Sequence, residues 1–232
     1  MITIRPSDAR GEADHGWLKA RHTFSFSDFH DPQWMGYSNL RVINEDRVAP
    51  GAGFAPHGHR DMEIITYVLQ GALRHRDSTG GWAVLPHGEL QVMTAGTGIR
   101  HSEMNASQSD GVHLLQIWIV PDAPGGDPGY QQKRLDEAAL RKDWSTVVAP
   151  VGEKAPFSIR ADARLAIAWP AAGQRVDRPL DPKRRYFLQV ATGAVTLDGR
   201  RLAAGDAALL EGESRLPLAV ESAAELLLFD LP

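Results

Sequence analysis

The chain has no cysteine among its 232 residues. That excludes disulfides, thiolate metal ligands, iron–sulfur clusters and a thiol nucleophile. It has no uninterrupted apolar run of about 18 residues, so no transmembrane helix is expected. The first residues, Met1-Ile2-Thr3-Ile4-Arg5-Pro6, lack the charged and apolar regions of a signal peptide. Together these absences read as a cytoplasmic protein with no membrane partner. There is no Lys/Arg run, and the net charge is −4, which argues against direct nucleic-acid binding. The six tryptophans are read as core and packing residues, because no basic patch accompanies them. Low-complexity sequence is also missing.

What remains is ordinary for a globular chain: 43% hydrophobic and 23% charged residues, enough for a real core. Short apolar or alternating runs recur at Leu40–Ile43, Glu63–Leu69, Leu90–Met93, Leu114–Val120, Arg164–Ala168, Phe187–Ala191, Val195–Leu197 and Leu226–Leu231. Turn-forming groups such as Thr79-Gly80-Gly81, Pro86-His87-Gly88 and Asp198-Gly199 lie between them. The pattern predicts an all-β sandwich or barrel. Gln131–Trp144 breaks it and reads as a short helix or linker. A weak internal repeat matches Tyr67–Gly71 with Leu188–Gly193, and Leu114–Pro121 with Leu226–Pro232. The expected organisation is therefore two β lobes, 1–130 and 131–232, with a helical linker at about 131–144.

Chemistry concentrates in two segments, His57-Gly58-His59 and His101-Ser102-Glu103. Side chains two apart on a strand share a face. Two such strands side by side would bring His57, His59, His101 and Glu103 to one point, a donor set suited to zinc, iron, nickel, cobalt, copper or manganese. Gly51-x5-His57-x-His59-x3-Glu63 matches the first cupin motif and Gly96-x-Gly98-x2-His101-x3-Asn105 the second, with Gly where Pro is usual. Glu63 is followed by one residue too many before Gly71, so Glu103, on the face of His101, is the expected carboxylate. The repeat offsets carry His57 to Pro179, His59 to Asp181, His101 to Leu218 and Glu103 to Val220. The donor set is thus expected in the N-terminal lobe alone. Asn105 is read either as a group orienting a ligand or as a turn residue. Of His113 and Gln116, whose parity differs, Gln116 is the expected cavity residue. His15, His22, His30, His75 and His87 have no partner spacing and are read as structural or exposed.

The opening His15-Gly16-Trp17-Leu18, then His22-Thr23-Phe24-Ser25-Phe26, together with His57–Glu63 and Thr94–Glu103, resembles the pirin family. The resemblance is specific over the N-terminal lobe and looser beyond it. It implies a bicupin, two jelly-roll lobes in one chain, with one mononuclear divalent metal, usually iron(II), held by His57, His59, His101 and Glu103. It implies a metal-dependent dioxygenase of the quercetin 2,3-dioxygenase type, which opens a small planar flavonol-like enol with O2 and releases carbon monoxide. The metal would serve as Lewis acid and template, and Glu103 as both ligand and general base for the 3-hydroxyl. A second implied role is that of a metal- or redox-sensing regulator that binds a protein partner. A cavity wide enough for a flavonol would favour the enzyme, and a site reachable only by water the sensor.

Overall fold

A computed structural model describes all residues, Met1–Pro232. The secondary structure is almost entirely strand, with one short helix, Glu137–Lys142, and one 3-10 turn at Ser7–Ala9. No helix is long and apolar enough to cross a membrane.

The chain forms two compact units. One holds Gly11–Arg134 with Ile159–Ala161, and the other Met1–Arg10, Leu135–Ser158 and Asp162–Pro232. The division differs from the sequence expectation at both ends. Ile2–Arg5 pairs antiparallel with Ala207–Glu211, so the first strand belongs to the second unit. Gly129–Arg134 pairs with Glu89–Thr94, so the segment read as the start of a linker is the last strand of the first unit. Of that segment only Glu137–Lys142 is helical, started by Asp136, whose side chain accepts from the Ala139 N–H.

The first unit is built from two sheets. One has seven antiparallel strands, in the order Gly129–Arg134, Glu89–Thr94, Glu63–Gln70, Val112–Ile119, Leu40–Val48, Leu18–His22, Gly11–Asp14. The other has four, in the order Gly53–His59, Ile99–Asn105, Ala72–Asp77, Trp82–Pro86. The apolar runs seen in sequence are the central strands. Ile64, Ile65, Tyr67 and Val68 are fully buried, as are Leu90, Val92 and Met93. The strand from Leu40 runs on to Val48, past the point where its apolar run ends at Ile43.

The second unit has a single nine-stranded sheet folded on itself. The strands Arg185–Leu197 and Arg215–Leu231 pair along most of their length. Its inner side chains form one apolar cluster that includes Leu188, Val195, Leu218, Val220 and Leu228. The register corrects one reading of the repeat. Leu218, the counterpart of His101, lies opposite Val176 rather than beside Pro179. A repeat offset taken from a distant glycine cannot see loop-length differences between the two units.

Candidate metal centre

The two motif strands pair directly. His101 lies opposite His57 and Ile99 opposite His59, and a bulge separates His101 from Glu103. Close approach of the strands depends on Gly53, where an added Cβ would lie 2.3 Å from the Glu103 carbonyl oxygen. Gly51, with φ of +68°, makes the turn that leads in. The pleat then sends His57, His59 and His101 to the same side.

Their Nε2 atoms converge. His101 Nε2 is 3.0 Å from His57 Nε2 and 2.9 Å from His59 Nε2. Two nitrogens have about this separation when both sit about 2.1 Å from one ion at right angles. His57 Nδ1 donates to the Ala55 carbonyl at 2.8 Å, which leaves its Nε2 as a lone-pair donor toward the centre. His101 Nδ1 is buried with no partner. Burial, then the neighbouring His57, lowers His59 to about 4. Burial, then His57 and His59, lowers His101 to about 2. Neutral imidazoles gathered in this way suit a divalent metal.

Glu103 comes into range through His101. A Glu103 oxygen, a His101 nitrogen and a His75 nitrogen lie within 4.8 Å of one another. Gln116 Nε2 donates to Glu103 Oε2 at 2.9 Å. The Thr66 hydroxyl stands 3.4 Å from Glu103 Oε1 and 3.1 Å from Gln116 Oε1, one proton for two acceptors. Burial raises the Glu103 carboxyl, against the lowering effect of the Gln116 hydrogen bond and of His75 and His57.

His57, His59, Glu103 and Gln116 border a cavity of about 420 Å³, inside the range of roughly 300–1,000 Å³ usual for small-molecule sites. Trp17, Phe26, Phe54 and Trp118 give it aromatic walls, and His57, His59, Glu103 and Gln116 a polar end. The Trp118 ring meets His59 edge-on at 4.9 Å and Phe26 at 5.4 Å.

Other candidates sort clearly. Glu63 is buried away from the centre and accepts from Thr94 Oγ1 at 2.7 Å and the Arg160 N–H at 3.2 Å. Asn105 builds a turn, donating to the Val48, Ala49 and Asp110 carbonyls and accepting from the Ser107 N–H. Gln116 faces the cavity, while His113 pairs with Glu45 at 2.9 Å. His75 is buried, held by Asp77 at 2.9 Å and stacked on Tyr130, and its Nδ1 has no partner.

Sequence reasoning missed His22, Asn44 and Asp46, all buried and all on the cavity. The signal was available: Asn44 and Asp46 alternate in phase with Val42 and Val48, which are buried on the same strand. Burial, then Glu103 and Glu45, raises Asp46 to about 7.

Comparison with known proteins gives a consistent picture. Residues 3–119 match the family model described as Pirin, and residues 146–231 the model described as Quercetinase C-terminal cupin domain. The chain is 41% identical to the quercetin 2,3-dioxygenase of Escherichia coli K12, over 100% of this chain and 99% of that one. It is also 41% identical to a pirin-like protein of Caulobacter vibrioides, over 99% of both. The bacterial pirin YhhW from Escherichia coli in complex with nickel(II) superposes with a TM-score of 0.94 at 40% identity, covering 100% of this chain and 99% of that one.

Proposed function

The chain belongs to the pirin family, an all-β bicupin, and from that premise we propose that it is a metal-dependent dioxygenase acting on a flavonol or a similar planar enol. The observation that carries the reading is the cavity. Its aromatic walls and its volume of about 420 Å³ are more than a water-accessible sensor site needs. Two relatives bear names that support it, one for quercetin 2,3-dioxygenase activity and one for bound nickel(II).

In this reading His57, His59, His101 and Glu103 hold one divalent ion. Iron(II) is the ion to load first, with nickel(II) the second. The bound ion supplies Lewis acidity and a template for the substrate 3-hydroxyl and the neighbouring carbonyl. The chain does the rest. Trp17, Phe54 and Trp118 hold the planar ring and exclude water. Glu103, at the polar end of the cavity, accepts the 3-hydroxyl proton. Gln116 and Thr66 hold the Glu103 carboxyl in place. The overall reaction consumes one O2 and releases one carbon monoxide for each ring opened. We place the protein in the cytoplasm.

The test is aerobic turnover of quercetin after anaerobic iron(II) loading, and separately after nickel(II) loading, following O2 uptake and carbon monoxide. We expect stoichiometric carbon monoxide from the wild type and none from His101→Ala. Wild-type protein that holds the metal and makes no carbon monoxide with either ion overturns the reading.

A further inference from the structure

One row of polar side chains crosses the seven-stranded sheet of the first unit in register. Gln91 lies opposite Thr66, Thr66 opposite Gln116, Gln116 opposite Asn44 and Asn44 opposite His22. All five are buried. In the interior of a barrel such a row is costly unless each member is bonded.

Most are. Gln91 Nε2 donates to Thr66 Oγ1 at 3.3 Å, and the Tyr130 hydroxyl stands 3.2 Å from Gln91 Oε1 and 2.5 Å from Gln132 Oε1, one proton for two acceptors. Gln116 spends its amide on Glu103 and its carbonyl on Thr66. His22 Nδ1 is 2.9 Å from Asn44 Oδ1. The chain of bonds stops between Gln116 and Asn44, where the row borders the cavity. With Oδ1 turned to His22, the Asn44 Nδ2 amide has no protein acceptor. Asp46, two residues on and therefore on the same face, is 4% exposed. Its carboxylate meets no protein donor: the influences on it are burial and the charges of Glu103 and Glu45. An open donor and an open acceptor thus stand side by side on the cavity wall. They lie one strand, roughly 4.8 Å, from the residue that holds Glu103.

We propose that Asn44 and Asp46 form a second polar pole of the cavity, which selects ligands carrying a phenolic hydroxyl in addition to the metal-binding enol. The hydroxyl donates to Asp46 and accepts from Asn44 Nδ2, so both open valences close on one group. Aromatic substrates without that hydroxyl leave the buried pair unsatisfied and are disfavoured for that reason. The inference rests on the flavonol reading above and adds the substrate class that the site prefers.

The experiment is equilibrium binding to the nickel(II)-loaded protein, read by quenching of tryptophan fluorescence. The probes are quercetin and 3-hydroxyflavone, which shares the enol but has no other hydroxyl. The proteins are wild type, Asp46→Leu, Asn44→Ala and, as a control on the outer face of the same strand, Glu45→Gln. We expect Asp46→Leu to weaken quercetin roughly ten-fold or more, and Asn44→Ala to weaken it less. Neither should weaken 3-hydroxyflavone, and Asp46→Leu should tighten it, because the carboxylate that this ligand leaves unsatisfied is gone; Glu45→Gln should change neither probe. Equal losses for both probes, or no loss for quercetin, overturn the proposal while leaving the flavonol reading standing. Failure of the wild type to bind either probe overturns the flavonol reading, and this proposal with it.

Discussion

The two units solve the same packing problem differently. In the second unit the sheet closes over Leu188, Val195, Leu218, Val220 and Leu228, a cluster of apolar side chains. In the first, the corresponding space holds three histidines, Glu103, Asp46 and a polar row, around a cavity of about 420 Å³. The strand pair that carries His57 opposite His101 in one unit carries Val176 opposite Leu218 in the other. The barrel therefore does not require the polar interior. The first unit carries that cost, in desolvated charge and lost packing, for the sake of a site, and the second keeps the architecture without it.

The sharpest way to break the comparison is to remove the contact on which the first unit's site centres. His101 Nε2 is the atom that touches both other imidazoles. We expect His101→Ala to weaken nickel(II) binding more than 100-fold in a calorimetric titration, beyond the 10–100-fold typical of groups that only support a ligand. Tight binding by that variant would take His101 out of the centre.

The opposite substitution tests the second unit. Leu218→His places an imidazole at the counterpart position, inside an apolar cluster and opposite Val176. It should cost about 2–5 kcal/mol in urea unfolding, from lost leucine packing and a desolvated ring, and should bind no metal. A neutral effect would mean that the second interior has room and polarity that its packing does not show.

A smaller effect is expected at Glu63, which is buried in the first unit but bonded to Thr94 and Arg160 rather than to the histidines. Glu63→Ala should lower stability by about 1–3 kcal/mol, because it strands the buried Thr94 hydroxyl and removes the acceptor of the Arg160 N–H. Nickel(II) affinity should change less than ten-fold. Complete metal loss would return Glu63 to the donor set.

Much of this was legible in the residues. The i, i+2 spacing of His57 and His59, and of His101 and Glu103, dictated faces before any fold was known, and apolar runs marked the central strands. What stayed hidden depends on pairing across the chain. Ile2–Arg5 joins the second unit through a strand some 200 residues away, and no local pattern announces such a partner. His75 looked isolated although Asp77 stands two residues on along the same strand; its ring neighbours, Tyr130 and His101, come from two other strands. Asn44 and Asp46 escaped because the apolar run ends at Ile43 although the strand does not. Polar residues on a buried face look like the start of a turn until the sheet is seen.

Asp46 offers the finest test of the difference between the interiors, since it has charge without a partner. Its carboxyl is raised from 3.8 to about 7 by burial and by the charges of Glu103 and Glu45. An acid that holds its proton more tightly when folded favours the folded state while protonated. That contribution is full below about pH 4 and is lost as the pH rises from about 4 to about 7. Asn at this position cannot ionise and gives up no hydrogen bond. In metal-free protein, Asp46→Asn should therefore gain stability over wild type as pH rises, by about 1–3 kcal/mol between pH 5 and pH 8. For a chain of this size that is about 2–4 °C in Tm per kcal/mol, readable by calorimetry at the two pH values. A constant difference across that interval would show that Asp46 finds a donor in solution. The second unit has no buried acid of this kind in its apolar cluster, so Leu218→Asn should shift stability equally at both pH values.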